Sequence, residues 1–242
     1  MIRLVNICKT YKSQMVLDRL NLEIDHKKIT VIIGKSGEGK SVLLKHIIGL
    51  SKPDSGNIYI DGVDITKIND KKLNEVRKKF GMLFQDSALF DSMTVGENVA
   101  FPLKEHTRLS KKDIDNIVED KLSYVSLESV AYKMPSELSG GMRKRVGLAR
   151  ALALDPEIIL FDEPTSGLDP VTCDSIDNLI VETWQRTKST FVVISHDIES
   201  TFKIAHKVGM LYNGKIIEIG TPVEIKSSNN PIVKRFIRRR DI

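Results

Sequence analysis

The sequence predicts an α/β protein: a parallel core sheet, an N-terminal antiparallel β part and an inserted helical subdomain. Three observations carry that expectation. Short β-branched runs alternate with longer helical patterns, and continuous apolar runs suit strands covered on both faces. Two hairpin-like stretches stand outside the alternation. Between about residues 91 and 133 no strand signal occurs at all.

Taken in order, the N-terminal part up to Ile24 reads as the first hairpin-like stretch. Residues 28–33 (KITVII) read as a buried strand, followed by a glycine loop and a helix over about 40–50. Residues 80–84 (FGMLF), 157–161 (EIILF) and Thr190–Ser195 (TFVVIS) read as three further core strands. In the inserted segment, Ser110 followed by Asp113 is an N-cap candidate with an acidic third residue. Ile114, Ile117, Val118, Leu122 and Val125 then keep a helical period. Ser139 is expected to cap a helix over 143–153. Ile176, Leu179, Ile180, Thr183 and Trp184 have the spacing of a core-facing helix stripe. Asn213-Gly214 is a turn signal between VGMLY and KIIEI, the second hairpin. Thr221-Pro222-Val223-Glu224 is a capping box with proline at the first helical position. The expected organisation is one domain over 2–237, with the helical subdomain at about 91–152 inside it. A basic tail, compatible with a helix, occupies 231–242.

Composition narrows the function class. The 242 residues are 41% hydrophobic and 29% charged, as in a globular chain with a real core. Lysine and arginine number 37 against 32 acids, a net +5. That excess fits an anionic partner such as nucleotide, nucleic acid or lipid surface, and equally a solvated surface. Cys8 and Cys173 share no CxxC or zinc spacing, so inert thiols in a reducing compartment are expected. The N-terminus lacks the apolar core of a signal peptide, and no apolar run approaches the ~18–20 residues that span a bilayer. Any membrane role is therefore expected to need a partner that does the spanning.

The chemistry concentrates in three places. Gly34, Lys35, Ser36, Gly37, Glu38, Gly39, Lys40 and Ser41 fit G-x-x-x-x-G-K-[ST] between a strand and a helix. Glycines let successive backbone N–H groups face phosphate, and the helix N-terminus adds partial positive charge. Lys40 can reach the β- and γ-phosphates, and the Ser41 hydroxyl can ligate Mg²⁺. Next, IILFDE at 158–163 ends a buried strand with two acids at the edge where α/β sheets bind ligands. Asp162 suits Mg²⁺, and Glu163 is placed to polarise an attacking water. Third, Leu138-Ser139-Gly140-Gly141-Met142 opens a second helix whose first-turn N–H groups can bind an anion. One phosphate cradle beside this second anion-binding helix end suggests that the second clamp serves another subunit.

In their order along the chain, these elements together with Gln85, SGLD at 166–169 and His196 resemble the ABC ATPases, over about residues 2–221. The LSGG element is the most specific, because other P-loop NTPases lack it. The resemblance implies a P-loop NTPase fold that binds ATP with Mg²⁺ and hydrolyses it. It implies that Tyr11, with Val16 nearby, stacks on adenine. Gln85 would contact Mg²⁺ and the attacking water and begin the segment that senses a permease. His196 would contact the γ-phosphate and hold Glu163. Asp169 would lie in the loop that couples two ATP sites. Ser139 and Gly141, with Gly140 between them, would bind the γ-phosphate of the partner's ATP. The implied assembly is a sandwich of two copies with ATP at the seam, closing on ATP and reopening after hydrolysis.

Finer features point to a subfamily. Met142 stands where most ABC ATPases carry glutamine. The pattern FQxxALFxxMxVxxNVAxPLxEHT at 84–107 and MPSELSGGM at 134–142 resemble the ATPases of Mla-type transporters. Those move phospholipids with an MCE-type protein and maintain outer-membrane lipid asymmetry. The resemblance thus implies permease subunits, an MCE-type lipid-binding protein, no nucleic-acid partner, and a peripheral place on the cytoplasmic side of the inner membrane. An importer ATPase for another substrate, such as an amino acid, stays open. So does a non-transport ABC ATPase, which usually carries two modules or a long coiled-coil insertion. Arg143-Lys144-Arg145 reads either as support for the phosphate clamp or as a solvated helix face. Lys234, Arg235, Arg238, Arg239 and Arg240 read as a lipid contact, a dock for the partner ATPase, or a solvated tail.

Overall fold

The computed structural model describes residues 1–238. The chain divides into two compact units, Met1–Arg77 with Thr190–Ile242, and Lys78–Ser189. In chain order the first stretch carries β1 (Ile2–Tyr11), β2 (Gln14–Ile24), β3 (Ile29–Ile33), α1 (Lys40–Ile47), β4 (Ser55–Ile60), β5 (Val63–Asp64) and α2 (Asp70–Arg77). The second unit carries β6 (Phe80–Leu83), α3 (Val95–His106), α4 (Lys111–Tyr124), a 3-10 turn at Pro135–Glu137, α5 (Gly140–Leu152), β7 (Ile158–Asp162) and α6 (Pro170–Thr187). The first unit resumes with β8 (Thr190–Ser195), α7 (Ile198–Ile204), β9 (Lys207–Tyr212), β10 (Lys215–Gly220), α8 (Pro222–Lys226) and α9 (Pro231–Arg238).

In the first unit, β2-β1-β4-β5 form an antiparallel sheet. Its register follows the period of two. Ile2 and Leu4 pair with Ile24 and Leu22 on one side and with Ile60 and Ile58 on the other, all of them buried. Two of the three register shifts between β1 and β2 fall beside Asn6 (φ 50°) and Arg19 (φ 47°), left-handed positions that mark bulges. In the same unit β3 lies between β8 and β9, parallel to both, and β10 turns back antiparallel on β9. Every residue of β3 and β8 is buried, as continuous apolar runs require.

In the second unit β6 and β7 pair in parallel, Phe80 with Ile158 through Leu83 with Phe161. Helices α3, α4 and α5 pack on one another. Thr94 and Glu97 form a capping box on α3, and Ser110 caps α4. Asn98, fully buried on α3, accepts from the Phe90 N–H and donates to the carbonyls of Phe90, Met93 and Thr94. One amide thereby pins the turn that enters the helix. Phe161 is 0% exposed in β7, so Phe161→Ala is expected to cost about 3–5 kcal/mol of stability. A urea titration followed by circular dichroism checks this through the midpoint.

Several elements differ from the sequence expectation. The helix after the glycine loop stops at Ile47 rather than 50, because Gly49 at φ 71° takes the backbone out of the helix. Strand β7 runs one residue further than 161, which makes Asp162 its last member. Helix α5 starts at Gly140 rather than 143, so both glycines form its first turn. The β4–β5 hairpin and α2 were not expected. Trp184 does not pack in a core with its neighbours: Ile176, Leu179, Ile180 and Thr183 are buried, but Trp184 is half-buried. Lys188 stands over its ring at 4.4 Å, a cation–π contact at the helix end.

Candidate nucleotide site

The phosphate cradle belongs to the first unit. Strand β3 ends at Ile33, the loop of Gly34, Lys35, Ser36, Gly37, Glu38 and Gly39 follows, and α1 begins at Lys40 and Ser41. Gly39 is the N-cap of α1 and supplies no side-chain hydrogen bond to the helix end. Its φ is 96°, and a Cβ there would lie 2.7 Å from Val16 Cγ1 in β2. Only glycine holds that backbone so close to the neighbouring strand. Gly39→Ala is therefore expected to displace the loop and weaken ATP binding by about tenfold or more, a change read by titration calorimetry.

Lys40 is 5% exposed, and its Nζ donates to the carbonyls of Gly34 at 2.9 Å and Lys35 at 3.0 Å. The ammonium is thus curled inside the loop it is meant to serve. Glu38 accepts from the Asn213 N–H at 2.6 Å, which ties the loop to the β9–β10 turn. Tyr11 is 43% exposed at the end of β1, with its hydroxyl 3.2 Å from Ser51 Oγ. His196 follows β8 directly and is exposed. A cavity of about 480 Å³ in this unit is lined by Lys35, His196, Met210, Tyr212, Ile232 and Phe236. Nothing in the spacing of residues 231–238 signals that α9 shares a cavity with the glycine loop and His196. Of the basic tail, Arg235 also lines that cavity, whereas Arg239 and Arg240 lie outside the described residues.

The second unit holds the acids and the LSGG element. Asp162 ends β7 at 8% exposure, and Glu163 follows with φ 47°, an uncommon backbone for a non-glycine residue. Gln85, two residues past the end of β6, is exposed. Ser139 caps α5 by accepting from the Met142 N–H at 3.2 Å, which leaves the N–H groups of Gly140 and Gly141 outside that bond. Asp169 caps α6 through the Thr172 N–H at 3.0 Å and accepts from the Thr172 hydroxyl at 2.6 Å. That hydroxyl first, then the backbone N–H, holds its carboxyl below the usual range.

The basic run after LSGGM is split: Arg143 is exposed, Lys144 is buried and Arg145 is half-buried, and each donates to a main-chain oxygen. Arg143 donates to the Leu138 carbonyl at 2.6 Å, and Arg145 donates to the Val125 carbonyl at 2.6 Å and to Ser175 Oγ at 2.6 Å. Lys144 is 5% exposed and donates to the Gln85 carbonyl, with the Glu163 carbonyl at 3.4 Å. Burial pushes its pKa down, while Asp86, Asp162 and Glu163 pull the other way. Apart from Ser175 Oγ, the partners of these three residues are main-chain oxygens, which residue type alone does not reveal.

A glycine loop joining a buried parallel strand to a helix with a glycine N-cap, in an α/β chain that also carries an acid-tipped strand, belongs to a P-loop nucleotide-binding protein. The family model for the ABC transporter matches residues 17–166, and the chain belongs to that family. It is the ATP-binding, ATP-hydrolysing subunit of an ABC transporter. The intermembrane phospholipid transport system ATP-binding protein MlaF of Haemophilus influenzae is 42% identical over 98% of this chain and 90% of its own. MlaF of Escherichia coli K12 is 42% identical over 94% of this chain and 85% of its own. The probable ribonucleotide transport ATP-binding protein mkl of Mycobacterium leprae is 42% identical over 100% of this chain. This chain spans 70% of that relative's length and 66% of its Mycobacterium tuberculosis counterpart's. Among solved structures, a dimeric ATP-binding cassette in a post-hydrolysis state bound to ADP and Pi superposes with a TM-score of 0.85 at 34% identity. The match covers 92% of this chain and 99% of that one.

Proposed function

We propose that this chain powers phospholipid transport: two copies bind and hydrolyse ATP on a membrane permease that works with an MCE-type lipid-binding protein. What carries the cargo assignment is the 42% identity to two phospholipid transport ATP-binding proteins along nearly the whole chain. Pairing is supported by the dimeric state of the similar cassette. Among the described residues no helix is long and apolar enough to cross a membrane. In this reading the permease supplies the span, and the ATPase docks on it peripherally at the cytoplasmic face of the inner membrane. The ATP-binding domain extends over 2–237.

The site residues divide the chemistry among them. Tyr11 stacks on adenine. The backbone N–H groups from Gly34 to Ser41 cradle the phosphates, and Lys40 exchanges its loop carbonyls for phosphate oxygens. The donors offered to Mg²⁺ are the Ser41 hydroxyl, the Gln85 amide oxygen and the Asp162 carboxylate, an all-oxygen set that suits this hard cation. When bound, Mg²⁺ neutralises charge on the β- and γ-phosphates. Glu163 takes the proton of the attacking water, and His196 orients Glu163 and the γ-phosphate. Ser139, Gly140 and Gly141 clamp the γ-phosphate held by the partner copy, and Asp169 lies in the loop linking the two sites. Closure then follows because the paired state binds ATP better than the separated one.

The mycobacterial relatives favour a second reading, a ribonucleotide cargo. Affinity purification of the tagged full chain from native membranes, with identification of co-purifying proteins and extracted lipid, separates the two. An MCE-type protein with bound phospholipid is expected. A ribonucleotide-loaded or amino-acid permease complex without lipid would overturn the cargo and leave the ATPase assignment standing.

A further inference from the structure

Helix α5 carries polar and small residues on one face that all meet the segment after β6. Lys144 donates to the Gln85 carbonyl, and Arg150 donates to the carbonyls of Ser87 and Ala88, both at 2.7 Å. Lys144, Gly147 and Arg150 are spaced by three, so they lie on one side of the helix. Gly147 sets the spacing between them: a Cβ there would stand 2.6 Å from Leu83 Cδ1 and 3.2 Å from Ser87 Cβ. Ser87 and Ala88 sit at φ 61° and 45°, so the segment is held in a conformation that needs outside support. The same Lys144 ammonium also reaches the Glu163 carbonyl at 3.4 Å, where the backbone is again left-handed. Five residues before Lys144 stands Ser139, the cap of the helix.

We propose that Lys144 is a positioning residue that links the LSGG clamp at the start of α5 to the main chain of Gln85 and Glu163 in the same protomer. This rests on the reading of Ser139–Gly141 as a clamp for the partner's ATP and of Glu163 as the base. An ammonium has three donors and no acceptor, so one buried Nζ holds two carbonyls with charge-assisted bonds. The link is short and rigid, because Lys144 lies in the second turn of the helix that the clamp opens. Engagement of the partner's phosphate by Ser139 therefore moves, or fixes, the two main-chain points from which the water-handling side chains project. A lysine in this role changes the rate of hydrolysis without contacting nucleotide.

The test uses the purified transporter complex with Lys144→Met, Ser139→Ala and the double variant. Steady-state phosphate release should show kcat for K144M about tenfold lower, with KM for ATP within about twofold and the thermal midpoint of the nucleotide-free complex nearly unchanged. The double variant should fall no more than about twofold below the weaker single variant, since both act through one link. A kcat for K144M within about twofold of wild type, or losses that multiply in the double variant, overturns the proposal. If K144M does not fold, Lys144→Gln, which keeps an N–H donor on a shorter stem, gives the same split between kcat and KM; wild-type kinetics there also overturn it. Failure of the clamp reading is visible separately, as a Ser139→Ala complex with unchanged kcat.

Discussion

Replacing Glu163 by glutamine is expected to lower kcat for ATP by about 100-fold or more, with ATP affinity held within about threefold. The substitution keeps the size of the side chain and removes the carboxylate proposed to accept a proton from water. Position matters here as much as chemistry. Glu163 follows the last residue of a fully buried strand and has a left-handed backbone, so a neutral isostere should stay in the same place. Phosphate release measured beside equilibrium binding of a fluorescent ATP analogue separates the two effects. The closed pair should also accumulate with ATP, because the step that reopens it is blocked. Near-normal hydrolysis would take Glu163 out of the base role.

Lys40→Ala should act on binding instead. The wild-type ammonium is 5% exposed and donates to the Gly34 and Lys35 carbonyls, so it is desolvated before ATP arrives. Trading two neutral acceptors for charged phosphate oxygens strengthens each bond. With hydrogen bonds to charged groups worth about 1.5–3 kcal/mol, removal should weaken ATP binding by about 10–100-fold. Hydrolysis should fall to background at sub-saturating ATP. Calorimetric titration reads the first effect directly, and an unchanged affinity would place the phosphates elsewhere. Removing Lys40 also leaves the two carbonyls without that donor, so the apo protein should lose some stability as well.

Much of this molecule was legible because its strands are uniform. KITVII, EIILF and TFVVIS each hold three or four consecutive apolar residues with no polar alternation among them, as suits a strand covered on both faces, and β3, β7 and β8 fall within a residue of those runs. Caps were legible for a similar reason: Ser110, Ser139 and Thr221 carry the one oxygen that satisfies a helix end. The β4–β5 hairpin was missed although Asp61-Gly62 is a turn signal, since β5 has only two residues to show an alternation. Helix α2 was missed because Leu73 is its single buried residue, too little for a periodic stripe. The glycine loop and the acid pair could be located by residue type. The contacts of Arg143, Lys144 and Arg145 could not, because each meets a main-chain oxygen, and every residue offers one of those.

The bond from Asn213 to Glu38 has a further consequence. The β9–β10 turn also accepts from Asp18 N–H through the Gly214 carbonyl at 3.0 Å, so one bend braces both the edge strand and the loop that receives the nucleotide. Ordering of that receptacle is completed when the chain folds. An incoming triphosphate meets a cup already in shape, and its adhesion is not diminished by having to immobilise a floppy segment first.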